Sequence, residues 1–275
     1  MKEREKFEHK KSLGQHFLTS NVVSTWMCDA ANLHADETVI EIGPGTGMLT
    51  RELLARGTNV IALEVDQRAV TVLKETFEKE IMLGALVIHH VDIRTFDIGS
   101  LNLATGSFKV VANIPYYISG FLFRTFLTHD IRPNTLVFLV QKEVARRITA
   151  NISKGEKESL LSLSVKVFGQ PTYVRTVPRG HFAPPPKVDS GILAVHNITG
   201  DMLGDTPQEF FFEILHLGFG QKRKQLLGNL SAQYSREALT NIFSTHDIPL
   251  STRAEDVSLE KWLILVKELM SLRST

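Results

Sequence analysis

The feature that most constrains this chain is a repeat of short β-branched apolar runs, separated by stretches with helical spacing, that begins at Glu37. Runs at residues 38–42, 60–64, 85–90, 109–112, 136–140, 173–177 and 191–195 predict seven strands. Between them, residues 49–55, 68–80, 120–128 and 143–148 have the apolar spacing of helices, and 29–33 closes a helix ahead of the first strand. Strands that are apolar on both faces and joined through helices belong to a parallel sheet covered on both sides. The expected fold is therefore α/β, a Rossmann-like sheet of about seven strands with helices on both faces. After His196 the strand pattern stops at a Gly-, Asp- and Pro-containing segment, 197–207, and residues 210–219, 224–230, 236–243 and 259–272 read as helix. Two domains are expected: 1–196 carrying the sheet, and 197–275 as a small all-helical domain.

Charge narrows the partners. Lys plus Arg number 31 against 30 Asp plus Glu, a formal net charge of +1, so any nucleic-acid contact must come from a local patch. The single cysteine, Cys28, has no partner for an internal disulfide and no companion thiolate for structural zinc. No stretch reaches the roughly 18 uninterrupted apolar residues of a membrane span. A cytoplasmic protein without a membrane partner, acting as a monomer, is expected.

Directly after the first predicted strand comes Glu41-Ile42-Gly43-Pro44-Gly45-Thr46-Gly47, opening into helical spacing at Met48-Leu49. That is where an open α/β sheet binds its ligand. A dinucleotide loop needs its third glycine at position 48, which is Met, so the spacing disfavours NAD. A carboxylate at Glu41, expected at the mouth of the loop, would repel a diphosphate and suit a ligand carrying a positive charge, as S-adenosylmethionine does. At the end of the second strand, Glu64 stands 21 positions beyond Gly43, where a carboxylate can take both ribose hydroxyls. At the end of the third, Asp92 can accept from an adenine amine while Ile93 packs on the ring. Singly, each acid has the alternative of being a helix cap or a solvated strand end; three successive strand ends each suited to one part of an adenosine are harder to obtain by chance.

The fourth strand runs into Asn113-Ile114-Pro115-Tyr116. The exocyclic amine of adenine is a poor nucleophile because its lone pair is delocalised into the ring. The Asn113 side-chain oxygen and the Ile114 carbonyl can each accept one of its N–H bonds, localising the lone pair and stabilising the charge that develops. Pro115 makes the turn rigid, and Tyr116 offers a flat face to a base taken out of its stack.

These residues resemble, in the same order, those of the ribosomal RNA adenine dimethyltransferases, and most closely the bacterial type acting on the small subunit. The resemblance is carried by Gln15-His16-Phe17-Leu18, the 41–47 loop, Glu64, Asp92, Asn113-Ile114-Pro115-Tyr116, residues 182–190, and Gly218-Phe219-Gly220-Gln221-Lys222-Arg223-Lys224 in the helical part. It implies a methyltransferase that dimethylates N6 of two adjacent adenosines near the 3′ end of 16S ribosomal RNA, within the small subunit or its precursor. It also implies that Gln15, His16 and Leu18 fold over S-adenosylmethionine, that Gly43, Gly45, Glu64, Asp92, Ile93 and Asn113 line its site, and that Phe182 faces Tyr116 across the target base. His16 stands where the family more often has Asn.

Arg146, Arg147, Lys154, Lys157, Lys187, Lys222, Arg223 and Lys224 are candidates for an RNA-backbone surface, because the window 132–187 contains few compensating acids and flanks the base-binding motif. A solvated helix face would explain each one singly. No pair of the ten histidines has a ligand spacing, so no metal is expected. Two related functions stand beside the first: a 23S ribosomal RNA adenine methyltransferase of the antibiotic-resistance type, with the same catalytic motifs, and a noncatalytic nucleic-acid-binding relative, which the intact 113–116 motif disfavours.

Overall fold

The structure, a computed structural model, describes residues 16–273. Seven strands form one sheet: β1 (Thr38–Ile42), β2 (Asn59–Glu64), β3 (Leu86–His90), β4 (Phe108–Asn113), β5 (Thr135–Gln141), β6 (Gln170–Val177) and β7 (Ser190–His196). Their spatial order is β3-β2-β1-β4-β5-β7-β6. The first five are parallel; β7 is antiparallel to both β5 and β6. The fully parallel sheet expected from the strand pattern is thus corrected to a mixed one. The cause lies in the 178–189 connection, which is Pro-rich and carries no crossover helix, so β6 and β7 can pair only antiparallel. β5 is buried along nearly its whole length, as a strand covered on both faces must be.

Helices α1 (Asn21–Ala30) and α2 (Met48–Ala55) cover one face, α3 (Gln67–Thr76) and α4 (Glu78–Met82) complete the layers around β2 and β3, and α5 (Ser119–Thr128), α6 (Lys142–Ile148) and α7 (Leu160–Lys166) follow. Residues 68–80, expected as one helix, are two. The break falls at Phe77, whose backbone leaves the helical region and whose ring is buried against the glycine loop. Helix α1 ends at Ala30, within the 29–33 segment expected to close it. Helix α7 has no counterpart in the predicted elements. It is held by a capping box built from two serines: Ser159 Oγ accepts from the Ser162 N–H at 3.1 Å, and Ser162 Oγ accepts from the Ser159 N–H at 2.6 Å.

The C-terminal part consists of α8 (Gln208–Phe219), α9 (Leu226–Leu230), α10 (Arg236–Thr245) and α11 (Leu259–Arg273). Its apolar core is continuous with one face of the sheet: Phe138, Phe123 and Phe168 belong to the same buried cluster as Phe211, Ile214 and Trp262. A second cluster, with Met27, Val39 and Leu53, fills the other face. Among the described residues, no helix is long and apolar enough to cross a membrane.

Candidate active site

Because β3, β2, β1 and β4 are adjacent and parallel, their carboxyl ends open side by side onto one cleft. The cleft is lined by Gly43 and Gly45 after β1, Glu64 at the end of β2, Asp92 and Ile93 after β3, and Asn113, Ile114, Pro115 and Tyr116 after β4, with His16 above them. Residues taken from five separate stretches of sequence are therefore gathered in one place. Phe17, from the 15–18 motif, also lines the cleft, as do Arg94 and Tyr117, which the sequence motifs did not single out.

The loop is shaped by its glycines. Gly45 has φ +58°, and a Cβ there would lie 2.6 Å from Cε1 of the Phe17 ring; Gly47, at φ +82°, would meet the Phe77 ring at 2.4 Å. Only glycine satisfies both the left-handed backbone and the close approach. The Gly45 N–H donates to Glu64 Oε2 at 3.0 Å, and the Asp66 N–H donates to Glu64 Oε1 at 2.8 Å. Both carboxylate oxygens are anchored, and each retains lone-pair capacity for a further donor. Burial raises the Glu64 pKa, against the lowering effect of these backbone donors.

Asp92 is held from its own chain: the Arg94 N–H donates to Oδ1 at 2.9 Å, and the Arg94 guanidinium bonds both oxygens, Nη2 reaching Oδ2 at 2.5 Å. This pairing keeps the Asp92 carboxyl below its ordinary range. On β4, the Asn113 Nδ2 donates to the His16 carbonyl at 3.1 Å, which fixes the amide and leaves Oδ1 as an acceptor. The Tyr116 hydroxyl lies 2.7 Å from Ser190 Oγ, at the start of β7. Ser190 is fully buried, so this bond orients the ring. Burial raises the Tyr116 pKa and keeps the phenol neutral. Sequence reasoning gave Ser190 no role; its one signal is a serine opening a buried strand right after the Pro-rich loop.

Three expectations are corrected. Glu41 does not stand at the mouth of the loop. It is 1% exposed, and Thr50 Oγ1 donates to its carboxyl at 2.6 Å. On β1 the side chains alternate, so Glu41 shares the α2 face with Val39 while Ile40 and Ile42 point the other way. Burial pushes its pKa up to about 8, opposed by the Thr50 hydroxyl and reinforced by the charge of Glu64. The case against a diphosphate ligand then rests on the glycine spacing alone. Leu18 and Phe182, expected over the cofactor and against the target base, are instead partners in a two-residue antiparallel ladder, and both are buried in the α1-side core. The alternation that sends Leu18 inward turns Phe17 toward the loop, and the ring found beside Tyr116 is that of His16, at 6.1 Å and 29°. His16 is tied down by its own Nδ1–H, which donates to the Pro184 carbonyl at 2.7 Å. Gln15 lies outside the described residues.

Glu41 yields a pH prediction. A carboxyl whose folded pKa of about 8 exceeds its ordinary 4.5 binds more protons folded than unfolded between those values, so stability falls as pH rises through that window. Urea unfolding at pH 5 and pH 8 should show a decline on the order of 1–4 kcal/mol in the wild type relative to Glu41→Gln. Parallel behaviour of the two proteins would mean that Glu41 is ionised in the fold.

The basic candidates divide. Lys222, Arg223 and Lys224 are exposed on the turn between α8 and α9. The turn is fixed from below: Asn229 Nδ2 donates to the Gly218 and Gln221 carbonyls, and Gly218 has no room for a Cβ, which would lie 2.4 Å from the buried Trp262 ring. Lys187 is exposed on the Pro-rich loop. Arg147 makes a loose 3.8 Å pair with Glu143, and the Arg146 guanidinium lies 5.9 Å over the Tyr173 ring. Lys157 pairs with Glu255 and Asp256 and so ties the α6–α7 loop to the helical part, a structural use that removes it from the candidate surface.

Comparison with known proteins agrees with this geometry. The profile of the family described as "Ribosomal RNA adenine dimethylase" matches residues 6–271. The ribosomal RNA small subunit methyltransferase A of Dehalococcoides mccartyi is 38% identical over 258 residues, 93% of this chain and 87% of that protein. The protein of the same name from Lactococcus lactis is 32% identical over 276 residues, 98% of this chain and 93% of its own length. Among solved structures, a dimethyladenosine transferase from Plasmodium falciparum superposes with a TM-score of 0.77 at 25% identity, covering 93% of this chain and 98% of that one. The 23S rRNA methyltransferase ErmE superposes at 0.75 and 25% identity, covering 92% and 99%. Matched almost from end to end by the profile and by these relatives, the chain belongs to the ribosomal RNA adenine dimethylase family.

Proposed function

We propose that this protein uses S-adenosylmethionine to dimethylate N6 of two adjacent adenosines in a loop near the 3′ end of 16S ribosomal RNA, acting as a cytoplasmic monomer during small-subunit maturation. The observation that carries the proposal is Asn113. Its amide is locked by the His16 carbonyl so that Oδ1 remains an acceptor, and it shares one cleft with the oriented Tyr116 ring and with Glu64 and Asp92. The small-subunit reading is favoured over the large-subunit one because relatives named for the small subunit reach 38% identity, against 25% for ErmE.

The residues present suit the cofactor. Glu64 would accept the ribose hydroxyls on oxygens already anchored by two backbone donors, Asp92 the adenine amine, and Ile93 would pack on the adenine. Gly43 leaves the backbone open, and His16 closes the cleft from above. Bound there, S-adenosylmethionine supplies an electrophilic methyl group. Asn113 Oδ1 and the Ile114 carbonyl hold the two N–H bonds of the target amine, and Tyr116 carries the base. No strong general base is needed, since the amine becomes acidic once alkylated. Phe182 enters as packing beneath the 16–18 segment, not as a second ring on the base. Calorimetry tests the cofactor assignment. Binding of S-adenosylhomocysteine without response to NAD is expected; the reverse would overturn it.

The helical part, 197–275, is assigned to RNA and ribosome contact, with Lys222, Arg223 and Lys224 on the phosphate backbone beside Arg146, Arg147 and Lys187. Each lost phosphate contact removes about 0.7 from the slope of log affinity against log salt on single strands. Neutralising Lys222, Arg223 and Lys224 together should flatten that slope by up to about 2 while leaving cofactor affinity unchanged. An unaltered slope would assign the three to solvent.

A further inference from the structure

Among the described residues, one Phe, Tyr or Trp side chain is left exposed by the fold: Tyr117, at 63%. It is next in sequence to Tyr116, yet the two rings are treated oppositely. Tyr116 is drawn in by Ser190, whereas Tyr117 stands at the lip of the same cleft. Its exposed ring offers a flat face, and it stands at the mouth of the cleft that holds Asn113 and Tyr116. A cation is fixed beside it. Arg94 also lines the lip, is held in place by bonds from Nε and Nη2 to Asp92, and lies within electrostatic reach of the Tyr117 hydroxyl. A guanidinium has five N–H donors, so the bonds to Asp92 leave others free, and its side chain is 57% exposed.

We propose that Tyr117 and Arg94 form a second nucleotide subsite, in which the Tyr117 ring stacks the base adjoining the target adenosine in the RNA chain and Arg94 contacts the phosphate beside it. The inference rests on the RNA substrate assigned above. Splaying the target base into the cleft strips stacking from its neighbour as well, and that neighbour emerges at the lip, where a flat face and an anchored cation stand together. The subsite would position RNA, while Asn113 and Tyr116 select the reacting base.

The test uses an RNA loop oligonucleotide carrying 2-aminopurine next to the target adenosine, titrated with wild type, Tyr117→Ala, Tyr117→Phe and Arg94→Gln. S-adenosylhomocysteine affinity is measured in parallel. Wild type should change the 2-aminopurine emission on binding. Tyr117→Ala should abolish that change and weaken RNA binding about tenfold, Tyr117→Phe should restore both, and Arg94→Gln should lower the salt slope by about 0.7. Cofactor affinity should stay within about twofold for the Tyr117 variants. RNA binding by Tyr117→Ala equal to wild type would overturn the subsite, and so would a loss of cofactor affinity in its place, since the ring would then cover the cofactor. If wild type binds the oligonucleotide but transfers no methyl group to small-subunit RNA, the functional assignment fails while the emission change still decides the subsite.

Discussion

Asn113→Ala is expected to lower turnover about 100-fold or more. The removed oxygen is one of two acceptors for the target amine, and a preorganised acceptor aimed at developing charge is worth about 10²–10³ in rate at comparable sites. The size of the effect follows from the preorganisation seen here. Nδ2 is held by the His16 carbonyl, so Oδ1 need not reorient during the reaction. The substitution also cuts the tie to His16, and a cofactor titration separates the two consequences. If the loss of the tie dominated, cofactor binding would fall along with turnover. Single-turnover mass spectrometry of nucleosides supplies the rate, and full dimethylation at the wild-type rate by Asn113→Ala would show that the amine is activated elsewhere.

Glu64→Ala should weaken cofactor binding by about 1.5–3 kcal/mol, a loss of charge-assisted hydrogen bonds to the ribose. Two buried backbone donors, from Gly45 and Asp66, lose their acceptor at the same time, so the loop itself should be destabilised. Glu64→Gln retains one acceptor oxygen and the side-chain volume, and should fall between the two. Because burial raises the pKa of Glu64, cofactor affinity in the wild type should decline as pH is lowered toward that raised value, and this dependence should vanish in Glu64→Gln. Calorimetry across pH measures both. Equal affinity of Glu64→Ala and wild type would remove Glu64 from the site.

How far this site was legible in advance can be judged residue by residue. All seven strands were, because each is a short run rich in β-branched and apolar residues, although only the central strands are covered on both faces. Glu64, Asp92 and Asn113 were readable for the same reason: a ligand site at strand ends needs only the strand ends to be located. What escaped was orientation within a strand. Glu41 could not be assigned to a face because both faces of β1 are buried, so the apolar pattern has no phase. Leu18 and Phe182 failed together, since the ladder pairing them joins segments far apart in the chain and turns both inward. Sheet order was hidden likewise: β7 lies between β5 and β6, a placement decided by long-range pairing that leaves only the missing helix in 178–189 as its trace. Tertiary packing also overrode local pattern at Phe77, where burying the ring against Gly47 outweighed continuing the helix.

Incubating the wild-type protein with labelled S-adenosylmethionine and unmethylated small or large ribosomal subunits, then digesting the RNA to nucleosides, addresses the assignment most directly. The proposed function predicts label in N6,N6-dimethyladenosine from small-subunit RNA, with none from the large subunit. Label confined to the large subunit, or absent from adenosine altogether, would contradict it.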